Sequence, residues 1–361
     1  MFSLLPGVLL LAAAESGLRC ANPVWMACVR TRACPSPEGV PRFVTEQKHN
    51  FVLETKEPLL AYDRELFWWP RPHVRGTVWS TPGVRTNSLG LRQGPVDSGR
   101  RRVNILVVGD SVVWGSLVHE HERFTNVAAG ILRQRPECRD VQVINAGVVG
   151  FTSHQVHRYL KGRGLGQFHP RIVVVCVGVN DAWPVVASDR AESLASASPG
   201  ARIRHVLRRS DVFLLLERYL TELRVFLTTG VNPEGFSFLN PAPGGQPREL
   251  RVAPAETERN FQAIGQIVEA HDAKLMVLLE TTMSRQPPTW NARAFSEAQR
   301  RVRNLCQERG WSSIELARLA DMPWSTPEGY LQDFCHLSPA GHEILARWLV
   351  DGLQRILPQG S

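Results

Sequence analysis

Four short blocks in this chain hold residues that can do chemistry together. Gly109-Asp110-Ser111 offers a hydroxyl, and Asn145-Ala146-Gly147-Val148-Val149-Gly150 offers turn glycines. Gly178-Val179-Asn180-Asp181 offers a side-chain amide, and Asp333-Phe334-Cys335-His336 offers a carboxylate three residues before an imidazole. A serine hydroxyl is a poor nucleophile at neutral pH and needs an adjacent base. His336 can be that base and can later return the proton to a leaving alcohol. Asp333 can fold back onto the imidazole, orient it and stabilise its charged form. Each block also has a plain structural reading: a helix cap, a glycine turn, an Asx turn, a capped helix start.

The elements around these blocks decide between the readings. From Val103 onward, apolar β-branched runs alternate with helical spacing. Strands are expected at Val103–Val108, Val141–Ile144, Ile172–Val177, Leu275–Leu279 and Ser313–Leu316. Helices are expected at Phe124–Arg133, Gln155–Lys161, about 255–270, Ser296–Arg309 and Pro339–Ile356, the last capped by Ser338. This alternation predicts an α/β fold, a three-layer α/β/α structure with a flavodoxin-like parallel sheet of about five strands. Such sheets bind ligands at the carboxyl ends of their strands. Three blocks follow the first three strands directly, and the fourth precedes the last helix. Residues 182–250 interrupt the alternation and read as an insertion, with a helical stretch at Ile203–Leu227 and a Pro/Gly-rich loop at Pro241–Pro247. Residues 21–102, rich in Pro, Trp and charge, read as an irregular, partly β N-terminal extension before a main domain at 103–357.

Together the four blocks resemble the SGNH hydrolase family, the GDSL-type esterases and lipases, over roughly residues 103–356. The match falls on Ser111, on Gly150 as the second glycine of the glycine block, on Asn180, and on Asp333 with His336. The resemblance implies a triad of Ser111, Asp333 and His336. It also implies an oxyanion hole formed by the Ser111 N–H, the Gly150 N–H and the Asn180 amide. The implied reaction is hydrolysis of a carboxylic ester through an acyl-enzyme, with no metal or organic cofactor. Val112 stands where the family usually has Leu. Asn87-Ser88-Leu89-Gly90-Leu91-Arg92 resembles a segment upstream of the serine in some bacterial members. The expected substrate is a small-molecule or carbohydrate ester, with O-acetyl groups on carbohydrate favoured. The same triad would serve an O-acyltransferase acting on polysaccharide. A non-catalytic binding module on this fold is the other alternative, and the intact site residues argue against it.

Composition narrows the partners. Hydrophobic residues make up 43% of the 361, enough for a real core. The net charge of +8 comes from scattered Arg residues, densest at Arg100–Arg102 and Arg202–Arg209, without interleaved aromatics. Nucleic acid is therefore not expected. The seven cysteines include no CxxC pair and no zinc-like Cys/His set. Cys176 reads as core, and Cys20, Cys28 and Cys34 lie close enough for one disulfide in an oxidising compartment. Cys335 adjoins His336, but neighbours in an extended loop point apart, so a packed thiol is expected. His119-Glu120-His121-Glu122 reads as a solvated loop. His154, His157 and Asp181 read as residues at the mouth of the site, with no complete ligand set. Leu4–Ala14 is a short apolar run ending in Ala12-Ala13-Ala14, like a secretory signal within residues 1–20. It implies export, to a periplasmic, secreted or membrane-anchored location, with membrane association through the N-terminus. A buried N-terminal helix in a cytoplasmic protein is the alternative.

Overall fold

The computed structural model describes residues 5–21, 59–78, 81–97, 102–185, 188–197, 249–283, 287, 290–321 and 327–357, with part of 200–220. The chain forms two compact units, Met1–Arg71 with Val186–Arg248, and Pro72–Val185 with Glu249–Ser361.

In the first unit, the apolar N-terminal run lies in a helix, Leu5–Ala21, with Leu10 and Leu11 exposed. Pro6 sits in its first turn, where a missing N–H leaves no hydrogen bond unmade. Glu15 accepts hydrogen bonds from the Ser210 hydroxyl at 2.8 Å and the Val212 N–H at 3.0 Å. Leu60–Asp63 and Phe67–Pro70 form an antiparallel hairpin. Among the described residues, no helix is long and apolar enough to cross a membrane. Cys20 is an exposed free thiol. Cys28, Cys34, Phe51–Leu53 and the loop Pro241–Pro247 lie outside the described residues.

The second unit carries the sheet. Its strands are β1 (Val103–Gly109), β2 (Val141–Gly147), β3 (Ile172–Cys176), β4 (Lys274–Leu279) and β5 (Ser312–Glu315). They pair in the order β5-β4-β3-β1-β2, all parallel. Helices α1 (Phe124–Arg133), α2 (Ser153–Tyr159), α3 (Pro254–Glu269), α4 (Ala292–Arg309) and α5 (Pro339–Gln354) cover it. Period-2 alternation splits each central strand between two cores. Ile105, Val107, Val174, Met276 and Leu278 pack against Phe124, Leu132, Leu345 and Leu349 of α1 and α5. Leu106, Val108, Val173 and Val175 face the other way and are equally buried, on the side of α2, α3 and α4. This order places a switch point between β1 and β3, where chain direction across the sheet reverses.

The sheet's unit begins at Pro72, so the boundary expected at residues 102 and 103 falls inside it. The hairpin Arg75–Val78 with Thr81–Arg85 belongs to this unit, and Val84, Leu91 and Arg92 are fully buried there. These irregular segments lack the periodicity that would have tied them to the domain. Pro184–Val185 and Glu249–Leu250, which flank residues 186–248 in sequence, pair antiparallel.

His342, in the first turn of α5, is buried and stacks on Phe124 at 5.8 Å. Its Nδ1 accepts the Phe124 N–H at 3.3 Å, one of the donors left over at the start of α1. Burial first, then Arg123, lowers its pKa from 6.5 to about 3. The unfolded chain therefore binds a proton below pH 6.5 that the fold refuses until about pH 3. Stability contributed by neutral His342 should thus fall as pH drops below 6.5. Urea midpoints at pH 6.5 and 4.5 should separate, and His342→Gln should narrow the gap. An equal gap in both proteins would exclude His342 as its source.

Candidate active site

Strand register brings the first three blocks to one edge. Gly109 ends β1 opposite Gly147 of β2 and Cys176 of β3. The chain leaves all three strands at the same level. Asp110 caps the short helix Ser111–Trp114, its Oδ1 accepting the Val112 N–H at 2.9 Å. Ser111 therefore opens a helix at the top of the sheet. Gly147 permits this turn, because a Cβ there would strike the backbone N of Trp114. Asn145 ties the second strand end to the first: its Nδ2 donates to the Val113 carbonyl at 2.6 Å and to Thr125 Oγ1 at 2.9 Å.

Gly150 lies in a turn in which the Phe151 N–H donates to the Val148 carbonyl at 3.1 Å. Its φ of 80° is that of the third residue of a type II turn, a position that favours glycine. Asn180 sits in the tight turn Val179–Ala182 after β3. Its Nδ2 donates to Asp110 Oδ2 at 2.8 Å.

The fourth block closes over Ser111. His336 Nε2 lies 2.8 Å from Ser111 Oγ, and His336 Nδ1 lies 2.6 Å from Asp333 Oδ2. Asp333 Oδ1 accepts the N–H groups of Cys335 and His336 at 2.9 and 2.8 Å, which folds the loop into a tight Asx-type turn. Burial alone would raise Asp333, but His336 and these two N–H groups hold it down at about 2. It is ionised at neutral pH. Ser111 and His336 are buried, with 7% and 2% of their surface exposed, so the hydroxyl and its base sit largely out of bulk water. A serine, an imidazole and a carboxylate in this order can generate an alkoxide equivalent and absorb its proton.

Cys335 departs from expectation. Its Sγ lies 3.7 Å from His336 Nδ1, so the two side chains do not point apart. The tight Asp333 turn bends the backbone and brings both inward. The thiol is still no nucleophile: burial, followed by Asp333, Asp110 and Glu280, pushes its pKa well above 9. Asp333, Cys335 and His336 form the single group of potential metal ligands among the described residues. His119 and His121 are exposed and stack on each other at 5.6 Å, apart from that group. Asp181 is buried and structural: it accepts from the Ser153 N–H and hydroxyl at 2.9 and 2.6 Å and from Thr257 at 2.7 Å. His154 is 9% exposed, and burial lowers the pKa of His157.

Four buried residues support the site, and none of them had been given a role there from the sequence. Arg251, just past the insertion, donates to the Gly150 carbonyl at 2.7 Å and to Gln155 Oε1 at 3.0 Å, fixing the Gly150 turn. Arg92 holds the carbonyls of Trp114, Gly115 and Val118 behind the nucleophile turn, at 3.0, 2.6 and 2.9 Å. Glu280 follows β4 directly and accepts the Val179 N–H at 2.7 Å. A lone carboxylate ending the apolar run Leu275–Leu279 was the available signal. Trp290 completes the Asn180 turn, donating from Nε1 to the Val179 carbonyl at 2.9 Å.

Residues 107–344 match the model of the GDSL-like lipase/acylhydrolase family. No curated protein matches the chain. Among similar solved structures, a lipase/acylhydrolase from Enterococcus faecalis shares 15% identity, with 72% of this chain and 98% of that one covered and a TM-score of 0.46. An alpha/beta hydrolase enzyme from the metagenome of Lake Arreo, Spain, shares 12% identity, with 72% and 99% covered and a TM-score of 0.45. An acetylxylan esterase from Geobacillus stearothermophilus shares 16% identity, with 69% and 93% covered and a TM-score of 0.43. With the four blocks in place and two thirds of its length matched by the family model, the chain belongs to the GDSL-like lipase/acylhydrolase family and is a carboxylic ester hydrolase.

Proposed function

We propose that Ser111 is the nucleophile of an acyl-enzyme mechanism, with His336 as general base and Asp333 as its orienting carboxylate. Ser111 Oγ attacks the ester carbonyl while His336 Nε2 takes its proton. The tetrahedral oxyanion is met by the N–H of Ser111, the N–H of Gly150 and the second Nδ2 hydrogen of Asn180. Collapse expels the alcohol, which receives the proton from His336. Water, deprotonated by His336, then frees the acid and restores Ser111. The single observation that supports this reading is the unbroken chain from Asp333 Oδ2 through both His336 nitrogens to Ser111 Oγ, at 2.6 and 2.8 Å.

A fluorophosphonate probe tests the assignment before any natural substrate is known. The wild type should be labelled on the peptide carrying Ser111, and Ser111→Ala should not be labelled. Labelling that persists in Ser111→Ala, or an adduct on another serine, would overturn it.

For the natural ester we propose an O-acetyl group on a carbohydrate, handled outside the cytoplasm. The signal-like run at Leu4–Ala14 and the breadth of the family's chemistry support this choice. An O-acyltransferase would use the same triad with a sugar hydroxyl in place of water. Acetylated polysaccharide incubated with the protein should release free acetate. Transfer to an added oligosaccharide at the expense of acetate release would replace hydrolysis by the transferase reading.

A further inference from the structure

We infer that Glu280 is a positioning residue for this reaction: as a neutral acid it hydrogen-bonds to Asp110 and, through Asp110, fixes the Asn180 amide that meets the oxyanion. The inference rests on the Ser111 reading above.

The geometry starts from two carboxyl groups with almost no access to water. Asp110 is 1% exposed and Glu280 is 5% exposed. Their carboxyl groups lie close enough to hydrogen-bond to each other. Two carboxylates cannot do so, because neither has a hydrogen to give. A bond between them needs one shared proton, and the surrounding donors decide where it sits. Asp110 accepts the Val112 N–H on Oδ1 and the Asn180 amide on Oδ2, at 2.9 and 2.8 Å. His336 also favours a negative Asp110. Glu280 has one close donor, the Val179 N–H at 2.7 Å, and a long contact from the Cys176 thiol at 3.8 Å. The other groups acting on Glu280 also disfavour its charge: burial foremost, then Asp110 and Asp181. Cys335 also lies within electrostatic range of Glu280, and its thiol stays neutral. The proton belongs on Glu280, and Asp110 stays anionic.

This arrangement has a functional consequence. Glu280 bridges the backbone of Val179 to the side chain of Asp110, and Asp110 holds the side chain of Asn180. The residue before Asn180 and its amide are thus fixed from one acid. A fixed amide stabilises charge that develops only in the tetrahedral state, so its loss should appear in kcat and leave KM nearly unchanged. Ionised Glu280 would instead face Asp110 as a second negative charge and push the pair apart.

Glu280→Gln copies the neutral acid: its amide can donate to Asp110 and its carbonyl can accept from Val179. The infrared difference spectrum of wild type minus E280Q at neutral pH should contain the carbonyl band of a protonated carboxylic acid, shifted in D2O. The band reports a protonated Glu280 in the folded protein, and its absence overturns the inference. E280Q should keep kcat within about threefold, whereas Glu280→Met should lower kcat about tenfold or more at similar KM. Loss of more than about tenfold in folded E280Q, or unchanged kcat in E280M, would also overturn it. Should E280M not fold, the infrared band and E280Q decide the matter. Fluorophosphonate labelling separates the two levels: an unlabelled wild type removes the Ser111 reading, while a labelled wild type without the band removes only the role of Glu280.

Discussion

His336→Ala should lower kcat for a short-chain aryl ester by about ten-thousandfold while KM changes little. Without the imidazole, Ser111 has no base within hydrogen-bond reach among the described contacts, since Nε2 at 2.8 Å is the base its Oγ meets. Ser111→Ala should cost about the same, because either loss leaves only the oxyanion donors and binding. The double variant should then be no slower than either single one. Additive losses would mean that the two side chains act in separate steps. The variant should still fold, because Asp333 keeps the N–H groups of residues 335 and 336 when the ring is removed. Melting curves beside initial rates check both halves. A loss of less than about tenfold in folded His336→Ala would sink the triad.

That prediction draws on residues whose chemistry is written locally. Ser111 follows a buried β-branched run, Asn180 follows another, and Asp333 is three residues from His336, so sequence and strand order were enough to gather them. Register did the rest, because Gly109, Gly147 and Cys176 end their strands side by side. The supporting residues were illegible for a physical reason. Arg92 and Arg251 bind backbone carbonyls, which carry no sequence signature, on segments distant in the chain. Glu280 meets Asp110 only because β4 and β1 both flank β3. Cys335 was misplaced because adjacency in sequence fixes side-chain direction only in regular backbone, and the Asx turn at Asp333 is not regular. The Pro72–Pro95 region was set outside the main domain because hairpins and loops show neither period. Its attachment rests on a few buried groups, Arg92 chief among them.

Arg92→Ala should destabilise the protein by about 3–5 kcal/mol, read as a lower urea midpoint. The guanidinium is fully buried and lies 5.7 Å from the Trp114 ring centre. It reaches the carbonyls of Trp114, Gly115 and Val118, and that of Pro82 at 3.2 Å. Burial lowers its pKa to about 10, so it stays charged at neutral pH. Truncation would strand the buried carbonyls at the end of the Ser111–Trp114 helix, each costing about 1–3 kcal/mol unless water enters. Water entry would in turn loosen the turn that aims Ser111. The variant should therefore lose kcat as well as stability, although Arg92 bonds to none of the triad. Arg92→Lys should recover only part of the stability, since a single ammonium with three hydrogens cannot serve four carbonyls spread across a planar fork. Full recovery by lysine would show that the charge matters and the fork does not. In that case the segment Asn87–Arg92 would brace the nucleophile turn through electrostatics rather than through its hydrogen bonds.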